Sequence, residues 1–185
     1  MKVENISYIK YITLQDEAKE DYNFWLNNHK FKPVDHFKLG DLKACKFGLI
    51  KDLQHAFIKG VGWVELLEIL ALYTDLVVKD IAKLGIFTIK EAFKFIEVEI
   101  ESINQIESIA LGHAPSADEQ HAGLERFEKY TIFPQIDTLA LGNVLNYEKV
   151  KQLDYLTALT KLSYDADNKR YQKDYQSVID RKHKK

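Results

Sequence analysis

Residues 88–111 read TIKEAFKFIEVEIESINQIESIAL, and how this stretch is taken decides the fold. The alternation in IEVEI fits a strand, whose side chains change face at every residue. Over the full stretch a different period holds. Ile89, Phe93, Ile96, Ile100 and Ile103 step by four and three, which gathers them on one stripe of a helix with Lys90, Lys94, Glu97, Glu101 and Asn104 opposite. The run is also too long for an ordinary strand, and Thr88 with Glu91 has the form of a capping box. The pattern therefore predicts a long helix with one packed and one wet face, closed by Gly112.

On its C-terminal side comes LGHAPSADEQHAGLERF, residues 111–127. Ser116 and Glu119 make a second capping box, so SADEQHAGLERFEKY is predicted as a new helix with acids at its positive end. Beyond Pro134, QIDTLALG is a short helix stopped by Gly142, and Asn146 caps the next turn. LDYLTALTKLSYDADNKRYQKDYQSVIDRK is then a long terminal helix, packed through Leu156, Leu159 and Leu162 and carrying Tyr164, Tyr171 and Tyr175 further on.

On the N-terminal side, VELLEILALYT is apolar nearly all round, the mark of a central helix. CKFGLIKDLQHAFI places Leu49, Ile50, Leu53 and Phe57 at helical spacing before Gly60 and Gly62. Thr13 is the expected N-cap of the helix DEAKEDYNFWLNN, residues 31–42 form a loop, and residues 1–12 are extended. Pro33, Pro115 and Pro134 each stand where a helical pattern has ended. LGDLKACKFGLIKDL from residue 39 and LGNVLNYEKVKQLDYL from residue 141 share a leucine-glycine opening and little more.

The expected fold is thus all-α, a compact multi-helix bundle with a long C-terminal helix. It forms one domain over 1–185, or two lobes at 13–112 and 113–185 behind an extended segment 1–12. With 185 residues, 46% apolar and 29% charged, the chain is long enough to bury a core without disulfide or metal staples. Cys45 is the only cysteine, which excludes an intrachain disulfide and fits a reducing compartment. The opening MKVENISYIKYI lacks the unbroken apolar core of a signal peptide, and no apolar run approaches a membrane span, so no membrane partner is expected.

A net charge of −2 argues against a dedicated nucleic-acid binder. Only the tail is basic, with Lys169, Arg170, Lys173, Arg181, Lys182, Lys184 and Lys185 against Asp174 and Asp180. Arginine, the residue suited to bidentate phosphate or base recognition, occurs only at 126, 170 and 181. A solvated helix end is the commoner meaning of such a run.

Candidate chemistry is sparse. His121 and Glu125, four apart on the expected helix with Asp118 a turn earlier, have a spacing that suits divalent metals. A helical metalloenzyme using His113, His121, Glu125 and Glu107 is one alternative, although neither paired Glu-x-x-His nor H-E-x-x-H motifs occur. Glu99 and Glu107 project near the isoleucine stripe, where a buried carboxylate can act as acid or base. The favoured reading is that each meets a lysine of a neighbouring helix or subunit. Cys45 beside Lys46 is read as a small hydrophobe rather than a reactive thiol. Trp25, Trp63 and the many tyrosines and phenylalanines are read as core or subunit contact rather than a base-stacking platform. No phosphate loop or nucleophile elbow is present, and no catalytic, cofactor or metal residue is assigned.

The residues AGLERFEKYTIFPQIDTLALGNVLNYEKVKQLDYLTALTKL from Ala122, followed by KRYQKDYQSVID, resemble the C-terminal half of small helical proteins encoded among the virion genes of tailed bacteriophages of Bacteroidetes, including the crAss-like phages. FGLIKDLQ and LLEILALY resemble the matching N-terminal half, so the likeness spans roughly residues 47–179. The resemblance implies a non-enzymatic accessory protein on the capsid or portal vertex, such as a portal vertex auxiliary protein. It would be located in the virion, assembled in the host cytoplasm, and open to self-association. Partner contact is expected at Trp25, Glu97, Glu101, Tyr171, Tyr175 and Arg181, with the acidic face of the 88–111 helix and the basic tail setting orientation. The alternative within binding proteins is a non-packaged assembly chaperone or regulatory module.

Overall fold

The structure, a computed structural model, describes residues 4–75, 77–81, 83–112, 115 and 117–183. Among these the chain is all-α: helices joined by turns, with two isolated antiparallel bridges and no strand. In order the α-helices are α1 (Tyr8–Ile12), α2 (Asp16–Asn28), α3 (Phe47–Lys59), α4 (Trp63–Tyr73), α5 (Val78–Ile81), α6 (Ile86–Leu111), α7 (Ala117–His121), α8 (Phe133–Leu139), α9 (Tyr147–Lys151) and α10 (Tyr155–His183). Short 3₁₀ helices cover Leu42–Ala44, Leu124–Tyr130 and Val144–Asn146. The chain divides into two compact units, residues 1–42 with 52–102 and residues 43–51 with 103–185.

The stripe on α6 packs as its period predicts, with Ile89, Phe93, Ile96, Ile100 and Ile103 all buried. Its beginning does not follow the capping box. Helix α6 starts two residues before Thr88, because its first donors are satisfied from far away in sequence: the Ile86 N–H donates to Ile6 O at 2.7 Å and the Phe87 N–H to Asn5 Oδ1 at 3.0 Å. Residues 8–12, predicted extended, form α1, whose N-cap Ser7 accepts the Lys10 N–H. Thr13 ends α1 instead of starting α2, its hydroxyl donating to the carbonyls of Ile9 and Lys10.

The first unit has an aromatic interior. Tyr8, Tyr11, Trp63 and Phe93 pack ring against ring, with Tyr8 and Trp63 centroids 5.8 Å apart, and Trp25 lies against His29, Phe31 and Phe87. Helix α4 is less central than its composition suggests. It buries Leu66, Leu67 and Leu70 but leaves Val64 and Leu72 exposed, because an apolar sequence does not fix how many of its faces find a partner.

In the second unit the predicted helix from 116 is broken. Helix α7 stops at His121, and Gly123 takes a left-handed backbone (φ +80°) in which an added Cβ would also press on the Arg126 guanidinium. Arg126 donates back to the carbonyls of Ala122 and Gly123, fixing the turn. The cap at Ser116 lies outside the described residues. Asn146 stands at the N-cap of α9 but makes no side-chain cap there; Asn143 caps the preceding 3₁₀ helix instead, accepting the Leu145 N–H at 3.0 Å. Helix α10 runs as expected, but its packed positions are Tyr155, Ala158, Leu159 and Leu162, spaced by three, one and three; Leu156 falls off this face and is exposed.

Candidate functional site

Glu107 meets a lysine, as its place on the stripe predicts, and the partner is Lys51 of α3. Lys51 Nζ sits 2.7 Å from both carboxylate oxygens, and Tyr155 of α10 donates its hydroxyl to Glu107 Oε1 at 3.0 Å. All three belong to the second unit. The Lys51 side chain is 1% exposed and Tyr155 fully buried, a placement lysine takes only when paired. Burial pulls the Lys51 ammonium below its ordinary value, with Glu107 offsetting part of the fall. Burial also pushes the Tyr155 phenol up, reinforced by the Glu107 charge and hydrogen bond. With two of its members closed to solvent, this trio has the character of a structural ion pair.

The expected metal set is not gathered. His121 and Glu125 lie on either side of the Gly123 turn, on two different elements, and Glu107 is engaged with Lys51 and Tyr155. His113 is outside the described residues. Among the described residues no three of His, Cys, Asp and Glu converge on a point that could hold a metal ion.

The expected contact residues fall into two groups. Trp25 is half-buried, stacked on His29 with centroids 4.1 Å apart and on Phe87 at 4.2 Å, so most of its ring is spent inside the first unit. Glu97 is half-exposed and paired with Lys94, while Glu101 is exposed. Tyr171, Tyr175 and Arg181 are exposed on α10, the two tyrosines stacked at 6.0 Å. From Asp167 to His183 every residue of that helix is exposed except Ile179.

A run of exposed apolar side chains lies elsewhere, in residues that helical spacing does not single out. Leu124, Phe127, Tyr130 and Phe133 step by three. In a 3₁₀ helix, with three residues per turn, such side chains stand above one another along one edge. The Leu124–Tyr130 segment is a 3₁₀ helix, and the rings form a ladder: Phe127 to Tyr130 at 6.5 Å, Tyr130 to Phe133 at 6.2 Å, Phe133 to Tyr147 at 5.5 Å. The first three rings are exposed, and Leu141 and Leu145 in the following turns are 86% and 82% exposed. The ring edges and faces can receive apolar groups, Tyr130 can exchange a hydrogen bond, and the Lys129 ammonium lies 5.0 Å from the Tyr130 ring.

The class that the fold defines is that of an all-α protein with no helix long and apolar enough to cross a membrane among the described residues. The chain matches no known protein family, no curated protein and no solved structure.

Proposed function

We propose that the protein is a non-enzymatic accessory protein that acts by binding other proteins, and that its place is on a tailed-phage virion, at the capsid or portal vertex. The observation that carries the binding reading is the exposed ladder of Phe127, Tyr130 and Phe133, together with the exposed Leu141 and Leu145 of the following turns. Contiguous exposed apolar surface of this kind marks interaction sites, and aromatic side chains dominate their energetics. The virion setting is supported by the resemblance of residues 47–179 to virion-encoded helical proteins. The exposed stretch of α10, with Tyr171, Tyr175 and Arg181, offers a second contact that a neighbouring subunit or coat protein can cover.

The test is mass spectrometry of purified particles of the phage that encodes the chain. Stoichiometric copies are expected. A Tyr130→Asp/Phe133→Asp double variant should keep its helical circular dichroism yet drop out of particles. Absence of the wild-type chain from mature particles, with co-purification on an unassembled partner, would replace the virion role by that of an assembly chaperone.

A further inference from the structure

A groove of about 440 Å³ in the second unit lies between α8 and α10 beside the end of α6. Its size falls within that of small-ligand sites. Leu111, Pro134, Leu162 and Ala166 give it an apolar floor, and Lys169 and Lys173, one helical turn apart, stand on its rim. Neither lysine has an ion-pair partner among the described residues. The other charges of the groove are already engaged: Asp165 by Lys161, and Arg170 by Asp167 and the Gly112 carbonyl.

Gln135 supplies a second, independent feature. It also lines the groove, and its Oε1 is buried with no hydrogen-bond partner, the one such side-chain atom among the described residues. Buried amide oxygens without a donor are rare and costly. The terminal amide torsion of glutamine is broad and soft, so the group can turn to meet a donor that enters the groove.

We infer that this groove captures the C-terminus of a peptide chain ending in an aliphatic residue: the carboxylate lies between Lys169 and Lys173, the last side chain sits on Leu111, Pro134, Leu162 and Ala166, and the last amide N–H donates to Gln135 Oε1. A fatty acid or a phosphate satisfies the lysines but brings no N–H for the glutamine. A peptide terminus supplies all three complements together, and terminal carboxylate capture is an established recognition mode. The inference stands apart from the aromatic ladder and from virion membership.

The test is a titration of the full chain, followed by ¹⁵N–¹H correlation spectra, with N-acetyl-alanyl-leucine as the free acid, its C-terminal amide, and decanoate. The free acid is expected to shift the amides of Gln135, Thr138, Ala166 and Lys169, and the amide-capped probe to bind about tenfold more weakly. Lys169→Ala/Lys173→Ala should weaken the free acid by a similar factor with an unchanged melting temperature. Gln135→Leu should weaken it while raising the melting temperature of the free protein, since the orphaned oxygen is gone. Three results overturn the inference: no shift at these amides, equal binding of the acid and the amide, or Gln135→Leu binding the acid as well as the wild type does. Decanoate binding at least as well as the free acid would assign the groove to lipid-like anions instead.

Discussion

Each unit joins two helix starts by a single antiparallel bridge. In the first, Ser7 faces Gly85, with the Tyr8 N–H donating to Leu84 O at 2.9 Å and the Ile86 N–H to Ile6 O at 2.7 Å. In the second, Lys46 faces Asp154, with the Phe47 N–H donating to Leu153 O at 2.8 Å and the Tyr155 N–H to Cys45 O at 3.1 Å. Both pairs satisfy backbone donors that a helix start leaves open. What lies beneath differs. Tyr8 leads into the cluster of Tyr11, Trp63 and Phe93, whereas Tyr155 leads to the charges of Lys51 and Glu107. Among the described residues of the first unit, every phenylalanine, tyrosine and tryptophan ring except that of Phe24 is buried or half-buried. The second fixes its interior with a buried ion pair and turns Phe127, Tyr130 and Phe133 outward, where they can meet another molecule. The same backbone device thus serves a unit built around its rings and a unit that displays them.

The sharpest way to break this contrast is to remove one buried charge. Glu107→Leu leaves Lys51 without its carboxylate and should destabilise the protein by about 3–5 kcal/mol in urea titrations. Adding Lys51→Met should recover part of that loss, because replacing both charges by apolar groups of similar size is less costly than stranding one, while the buried Tyr155 hydroxyl still lacks its acceptor. If the double variant is as unstable as the single one, the ion pair does not organise the second unit.

Tyr155→Phe should cost less, about 1.5–3 kcal/mol near neutral pH, by deleting a hydrogen bond to a carboxylate. Its pH dependence is the sharper readout. The folded phenol holds its proton above pH ~10, where the unfolded one releases it. The native state therefore binds more protons, and stability falls as pH rises past ~10, by up to about 1.4 kcal/mol per unit. The phenylalanine variant lacks this share of the slope. Tyr8 and Tyr11, also pushed up by burial, keep theirs in both proteins. Lys51 works in the opposite sense: its lowered value lets the native state release a proton first, so that raising the pH toward ~10.5 relieves strain.

The amino-acid pattern shows the all-α body, the stripe of α6 and the long α10 because these obey the 3.6-residue period over many turns. It also points to a lysine partner for Glu107, since a carboxylate at the edge of a packed stripe has few other ways to be satisfied. It does not show that Lys51 is that lysine or that Tyr155 shares the site, for those contacts span 56 and 48 positions of the chain. Boundaries fail for the same reason: the cap of α6 comes from Asn5, so Thr88 is inside the helix. The ladder escapes notice because its period is three, and a stretch read as α-helix spreads those rings around the axis. Gly123, which ends α7, is the local signal for the change of helix type.

Gly85→Ala tests the first bridge at smaller scale. A Cβ there would collide with Asn5 Oδ1, Cγ and Nδ2, so the asparagine side chain must leave and the Phe87 N–H loses its acceptor. A loss of about 1 kcal/mol is expected, that of a helix cap. Asn5→Ala should match it, and the two together should not add, because both delete one contact.

The corresponding change in the second unit should be weaker still. Lys46 and Asp154 form an ion pair at 2.9 Å with side chains 45% and 67% exposed, so water and salt screen most of their attraction. Lys46→Ala is expected to shift stability by no more than about 0.5 kcal/mol, and 0.5 M salt to erase the difference from wild type. The bridge itself should survive, because its bonds are made by the backbones of Cys45, Phe47, Leu153 and Tyr155 rather than by the charges. Amide hydrogen exchange at Phe47 and Tyr155 separates the two layers: protection that persists in the variant assigns the bridge to the packing of those two rings, whereas protection lost with the lysine assigns it to the ion pair.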